Sequence, residues 1–109
     1  MGAKVLIECE MGTNPKDIMS VNNPIGLSFS VVSKRIAWSQ VEKREVVLKD
    51  WFDVALWGDN ATRYRGKLAQ GDKITVRGEL QKYEWQSDGG KHKDVKVLAS
   101  TIEFSSNLL

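Results

Sequence analysis

The chain has 109 residues, a formal net charge of +2 and a single cysteine, Cys9. This length favours one domain, and 16 basic against 14 acidic residues do not by themselves indicate a polyanion as partner. One cysteine excludes an intramolecular disulfide framework, and no apolar stretch resembles a signal peptide or a membrane span. We therefore expect a cytoplasmic protein that does not enter a membrane.

The first third of the chain predicts two strands. Residues 4–10 alternate apolar and polar side chains, which is typical of a strand, whereas residues 16–23 give only a weak extended signal. Asn22–Gly26 predicts a turn, because Asn tolerates left-handed backbone and Pro fixes φ. Residues 27–32 predict the second strand, and a continuation through Trp38 keeps one outer face. On that strand we expect three inward side chains and six outward ones: Leu27, Phe29 and Val31 inward, and Ser28, Ser30, Val32, Lys34, Ile36 and Trp38 outward.

The third strand follows a polar loop over residues 39–45 and ends at Gly58. A period of two places Phe52, Val54 and Leu56 on an ordinary core face. The opposite face holds two tryptophans on either side of an aspartate, which is unusual for a core: Trp51, Asp53, Ala55 and Trp57. Large flat rings beside a charge indicate a surface that binds a flat partner, such as a nucleobase.

After Gly58 the period changes, and residues 59–72 predict a helix. Asp59 or Asn60 is expected to cap its start, and Gly71 to end it. Its apolar stripe is Ala61, Tyr64 and Leu68.

Residues 73–85 and 92–104 predict the fourth and fifth strands, joined by a hairpin at Asp88-Gly89-Gly90. Gly78 is expected to mark a bulge or a sharp bend. In the fourth strand Ile74, Val76 and Leu80 should face the core. In the fifth, we expect Val95 and Val97 on one face and a second apolar group on the other: Leu98, Ile102 and Phe104.

This order of elements predicts an all-β protein, a five-stranded Greek-key barrel of the oligonucleotide-binding (OB) fold. One helix lies between strands three and four and closes an end of the barrel. Residues 1–104 are expected to form this domain, and residues 105–109 a short C-terminal tail.

Three segments resemble the bacterial single-stranded-DNA-binding protein family: residues 51–58, 67–80 and 83–90. They are similar to its third strand, its helix end with the fourth strand, and its aromatic arm with the hairpin. The resemblance covers residues 4–104 and implies binding of single-stranded DNA in replication, recombination or repair, by a homo-oligomer that is usually a tetramer. Residues 18–24 are less similar. The chain also ends without the family's acidic tail tip, so replication or repair proteins are not expected to bind through one.

The resemblance implies base stacking on all four tryptophans, Trp38, Trp51, Trp57 and Trp85, and a basic contact at Lys4. Cations interleave with these rings along the sequence, so phosphate and base contacts can alternate along one groove. The further candidate DNA contacts are Lys34, Arg35, Lys49, Arg77, Lys82, Tyr83, Lys91 and Lys93. His92 is interpreted as an exposed loop residue and Cys9 as a small core residue.

Catalysis is not expected. Two pairs of carboxylates, Glu8 with Glu10 and Asp50 with Asp53, lack a nucleophile, a histidine partner or a glycine-rich phosphate loop. No cofactor or metal is expected either.

Two other interpretations stay open at this stage. One is a tail-less primosomal accessory protein of the same fold, which bridges replication proteins. The other is a protein-interaction barrel that has lost DNA binding, with its tryptophans buried in an interface. The resemblance also implies a homodimer or homotetramer, and the first and fifth strands carry apolar side chains on both faces, which suits pairing between subunits.

Overall fold

The structure, a computed structural model, describes residues 3–105. The described residues form six strands and one helix: β1 Ala3–Met11, β2 Lys16–Ser20, β3 Asn23–Ser39, β4 Arg44–Trp57, α1 Gly58–Tyr64, β5 Lys73–Ser87 and β6 Gly90–Phe104. Residues 106–109 of the predicted tail lie outside the described residues.

Five of these strands close into a barrel. The hydrogen-bonded order is β1-β5-β6-β4-β3, and the pairs Glu10–Val32 and Met11–Val31 join β3 back to β1. β4 and β6 pair in parallel, and the other neighbours pair antiparallel. The predicted OB-fold barrel is therefore confirmed, with its helix between the third and fourth barrel strands, which are β4 and β5.

The segment between β1 and the second barrel strand differs from the prediction. β2 forms a hairpin with the start of β3, with Ser20 opposite Asn23. The predicted turn at Asn22–Gly26 is wrong, because the turn lies at residues 21–22 and the chain is already paired from Asn23. Pro24 is tolerated here because it lies at the start of the strand, before pairing with β4 begins at Gly26.

The inward faces of the barrel strands form the core. Val31, Val54, Leu56, Val76 and Val97 are fully or almost fully buried. The predicted inward sets of the second, third and fourth strands are confirmed, with Phe52 and Leu80 packed at the margin of the core.

Two residues of the predicted outer face are nevertheless buried. Ala55 lies between Ser28 of β3 and Leu98 of β6, so neighbouring strands cover its single methyl group. Val32 lies directly opposite the large ring of Trp51. Side-chain direction alone therefore did not decide burial at these positions.

The face assignment of the fifth strand is also corrected. Arg77 pairs with Thr101 and Gly78 with Ala99, so Ser100 is an extra residue in β6. This bulge reverses the alternation, and Ile102 is buried on the same inner side as Val97. The irregularity lies beside Gly78, as predicted. A Cβ at Gly78 would collide with the carbonyl oxygen of Leu98, which explains the glycine.

The helix is half as long as predicted. α1 starts directly after Trp57, which stands at the N-cap without a side-chain hydrogen bond, so the predicted caps Asp59 and Asn60 are wrong. It ends at Tyr64, and Gly66 with φ of +79° then turns the chain, five residues before Gly71. The predicted stripe is still buried, since Leu68 packs from the turn that follows. The Tyr64 hydroxyl accepts a hydrogen bond of 2.9 Å from the Ile102 N–H and ties α1 to the barrel.

Two ribbons extend beyond the barrel. In the first arm, residues 33–39 of β3 pair only with residues 44–50 of β4 among the described residues. In the second arm, residues 81–87 of β5 pair with residues 90–96 of β6. Neither arm has a second layer over it, so most of its side chains are exposed.

Candidate nucleic-acid interface

Three tryptophans share the outer face of β3 and β4. Cross-strand partners lie on the same side of a sheet, and Trp51 is opposite Val32, Trp57 opposite Gly26, and Trp38 opposite Glu45. We call this surface the indole face. The exposed fractions of Trp38, Trp51 and Trp57 are 57%, 59% and 41%. These rings are open to solvent in the isolated chain, at the places the sequence predicts.

Glycines hold the two rings of the barrel wall close to the backbone. A Cβ on Gly12 would lie 2.7 Å from Cη2 of Trp51 and would also collide with its Cζ3. A Cβ on Gly26 would lie 2.9 Å from Cε3 of Trp57 and 2.6 Å from the Leu56 carbonyl oxygen. Each indole therefore lies close to the backbone at a position where a larger residue does not fit.

The fourth tryptophan lies on the second arm within a row of rings. The Trp85 ring stacks on Tyr83 with 5.4 Å between centroids and 22° between planes. It also stacks on His92, its cross-strand partner, at 5.1 Å and 20°. His92 Nε2 lies 2.7 Å from Ser87 Oγ, and Lys96 Nζ lies 5.2 Å from the Tyr83 centroid. His92 is therefore part of an aromatic row on β6 and not the exposed loop residue that the sequence suggested.

A recess connects the indole face to the second arm. It has a volume of about 340 Å³, and its lining includes Ser28, Asp53, Tyr83 and Lys96. Partial burial and the carboxylates of Asp94 and Asp53 raise the pKa of the Tyr83 phenol. Both effects disfavour the phenolate form of Tyr83.

The predicted cations of the first arm divide between its two faces. Lys34 and Lys49 lie opposite each other on the indole face, between Trp51 and Trp38. Arg35 points to the other face, where its Nε donates to Asp50 at 3.0 Å. Lys34 and Lys49 are thus placed beside the rings, and Arg35 is not.

Two further predicted cations border Trp57. Lys4 and Arg77 line the same groove as Trp57, with a volume of about 770 Å³ that runs over β1, β5 and β6. The Nε of Arg77 also donates to Glu103 at 3.2 Å.

The predicted lysines of the second arm lie away from its rings. The face opposite Trp85 carries Lys82, Lys91 and Lys93. Side chains alternate between the two faces along a strand, and each of these lysines is an odd number of residues from Trp85 or from its partner His92. Lys93 Nζ lies 3.8 Å from Glu84 on that face.

Sequence reasoning did not predict that two residues, His92 and Lys96, lie on the ring side of the second arm. Both lie on β6 in register with the outer face, opposite Trp85 and Gln81. The hairpin turn at residues 88–89 sets this register, so counting outward from the turn pairs His92 with Trp85. That count was the signal that could have found them.

A closed five-stranded barrel with exposed indoles and lysines on one wall defines an oligonucleotide-binding-fold protein of the type that holds unpaired strands. The model of the Single-strand binding protein family matches residues 2–105. The chain belongs to this family, whose members are non-enzymatic DNA-binding proteins. At the level of the family, the prediction that the chain is not an enzyme is confirmed.

Known relatives agree with this assignment. Over 60 residues the chain is 27% identical to a Single-stranded DNA-binding protein of Treponema pallidum (strain Nichols), which is 55% of this chain and 34% of that protein. The chain thus spans about a third of the length of this curated relative.

Solved structures show the same fold. The small single-stranded DNA-binding protein of Streptomyces coelicolor superposes with a TM-score of 0.74 at 20% identity, covering 96% of this chain and 95% of that one. The Plasmodium falciparum SSB in complex with ssDNA gives 0.82 at 14% identity, covering 95% of both chains. A deletion variant of the Thermus aquaticus single-stranded DNA binding protein gives 0.79 at 21%, covering 95% of this chain and 50% of that one.

The described part of the chain offers no candidate membrane helix. α1 has only seven residues, and no helix of residues 3–105 combines the length and the apolar character of a span.

Proposed function

We propose that residues 1–104 bind single-stranded DNA with little regard to sequence, by stacking bases on Trp51, Trp57, Trp38 and Trp85. The observation that carries this proposal is the indole face, a row of exposed rings held on the barrel wall and its first arm. Every nucleobase has a π-face, so stacking tolerates any sequence and contributes about 1–3 kcal/mol per base. Duplex DNA should bind poorly because its bases are already stacked inside.

In this proposal lysines and arginines follow the phosphates between the stacked bases. Lys34 and Lys49 flank the path from Trp51 to Trp38, and Lys4 and Arg77 flank Trp57. The arm faces without tryptophan carry Arg35, Lys82, Lys91 and Lys93. These cations contact phosphates only where the DNA passes around an arm. Phosphate contacts release counterions, so the affinity should fall steeply with salt.

The test is a titration of tryptophan fluorescence with oligo(dT) at several salt concentrations. Stacking should quench the fluorescence, and the log of the affinity should fall linearly with the log of the salt concentration. A duplex of equal length is the control and should bind far more weakly. Unchanged fluorescence at low salt would overturn the proposal.

Iodide quenching of the tryptophan fluorescence tests the protein-interaction alternative. If iodide fails to quench the tryptophans before DNA is added, they lie inside an interface, and the barrel serves as a protein-binding module. The exposed fractions of the indoles in the isolated chain favour quenching.

We further propose that the protein acts at the nucleoid, where replication, recombination and repair produce single strands.

A homo-oligomer, a dimer or tetramer, is part of this proposal. β1 pairs with β5 from Ala3 to Glu10, but with β3 only at Glu10 and Met11, so most of its second edge has no neighbour among the described strands. Such an edge can accept a strand from a second copy. Leu6 and Phe104 add exposed apolar surface on β1 and β6. Light scattering at micromolar concentration tests this, and a monomer would remove the claim.

A further inference from the structure

The recess that connects the indole face to the second arm differs from the rest of that face. Asp53 and Ala55 lie between Trp51 and Trp57 on β4, and their partners on β3 are the small residues Ser30 and Ser28. These short side chains, together with Thr13, Lys16 and Tyr83, line a depression of about 340 Å³. This space is large enough to receive one base from a strand that stacks on the flanking indoles.

A carboxylate lies in this recess. Asp53 Oδ1 accepts a hydrogen bond of 2.9 Å from Ser30 Oγ. Within residues 3–105, no hydrogen bond reaches Oδ2 of Asp53, so it remains an acceptor. The Ser30 N–H in turn donates to Thr13 Oγ1 at 3.0 Å, which anchors the rim of the recess to β3.

The charge of Asp53 decides which part of a nucleotide can approach it. A phosphate carries negative charge and is repelled by a carboxylate at short range, whereas the edge of a base is neutral. Cations are available at the rim, since Lys16 and Lys96 line the recess and Lys96 Nζ lies over the Tyr83 ring. The phosphates can therefore pass along the rim while the base points toward Asp53.

An acceptor-only group discriminates between bases. A carboxylate that faces position 4 of a pyrimidine accepts from the N4 amino group of cytosine, whereas thymine presents the O4 acceptor there and can donate only from the neighbouring N3–H. Two acceptors facing each other repel, and each loses a hydrogen bond to water. We propose that the recess is a base-reading subsite that accepts a base with an exocyclic amino group, cytosine in preference to thymine.

This inference rests on the proposed function and refines it, because stacking binds any strand and Asp53 adds a preference at one position. The test compares oligo(dC) and oligo(dT) of equal length, two pyrimidine strands that fill the subsite in every register. Affinities are measured for the unchanged protein, for Asp53→Asn and for Asp50→Asn. The matched control removes the same charge from the opposite face of β4, where Asp50 pairs with Arg35.

The amide of Asp53→Asn can donate as well as accept, so it no longer disfavours thymine. The ratio of oligo(dC) to oligo(dT) affinity should fall about 5- to 10-fold in this variant and stay within about twofold in Asp50→Asn. An equal fall in both variants would assign the effect to net charge and overturn the subsite. An unchanged ratio with tight binding of both strands would overturn the subsite and leave the proposed function standing. Failure of both strands to bind would overturn both.

Discussion

Trp51 on the barrel wall and Trp85 on the second arm are held in place in different ways. The Trp51 ring lies against the backbone at Gly12, next to the residues of β1 and β3 whose pairing closes the barrel. The Trp85 ring lies among other side chains, between a same-strand and a cross-strand neighbour on a two-stranded ribbon. The wall therefore presents a fixed ring, and the arm presents a ring whose position depends on its neighbours. Preorganised contacts lose less ordering entropy on binding, so Trp51 should contribute more to affinity than Trp85.

The largest expected effect comes from removing the two rings in turn. Trp51→Ala should weaken oligo(dT) binding by about 1–3 kcal/mol, because a fixed stacking platform is lost. Trp85→Ala should cost less, about 1 kcal/mol or below, since Tyr83 and His92 remain as flat surfaces on the arm. Isothermal titration calorimetry at one salt concentration measures both. A greater loss for Trp85→Ala would reverse the comparison.

The next largest expected effect on DNA affinity comes from displacing the Trp51 ring without removing it. Gly12→Ala should displace Trp51, because the added methyl group occupies the space of the indole. Backbone strain does not contribute, since the φ of Gly12 is not in the left-handed range. We expect a loss of about 1 kcal/mol in DNA affinity, part of the value of one stacked base, and a changed fluorescence spectrum of the free protein.

The matched control for this variant is Gly89→Ala at the tip of the second arm. The nearest atoms to a Cβ there are 3.9 Å away, on His92 and Ser87, so the methyl group fits. Affinity and spectrum should both stay unchanged. If Gly12→Ala also leaves them unchanged, Trp51 does not need its contact with the glycine.

Salt dependence compares the cations of the two regions. Lys34→Gln and Lys49→Gln together should reduce the slope of log affinity against log salt by about 1.4, since each phosphate contact to a single strand contributes about 0.7. Lys82→Gln with Lys93→Gln removes the same charge from the face of the second arm that lacks rings. A change of slope for this second pair equal to that of the first would show that DNA contacts both faces.

The smallest expected effect concerns the support of Trp85. His92→Ala removes one stacked ring and the contact with Ser87, and His92→Phe keeps a ring without that contact. Aromatic pairs contribute about 0.5–1.5 kcal/mol, and only part of this should appear in DNA affinity. We expect His92→Ala to weaken binding up to about threefold, by loss of part of that stacking, and His92→Phe to restore it. A loss in both variants would point to the imidazole itself as a DNA contact.

The sequence by itself determined the barrel and the exposure of its tryptophans. Strand alternation places Val54 and Leu56 inside and Trp51 and Trp57 outside, and this pattern depends only on the period of two. The hairpin chemistry and Gly78 likewise predicted where the second ribbon turns and where its ladder is irregular.

The tertiary structure alone decided features that depend on residues distant in the chain. The bulge at Ser100 directs Ile102 into the core, and α1 ends at Tyr64, well before the predicted end at Gly71. Gly12 contacts the ring of Trp51, which is 39 positions further along the chain. The contact of Arg35 with Asp50 likewise depends on the pairing of β3 with β4. Periodicity describes one strand at a time, whereas a binding surface is formed where several strands meet, and their register is set by closure of the whole barrel.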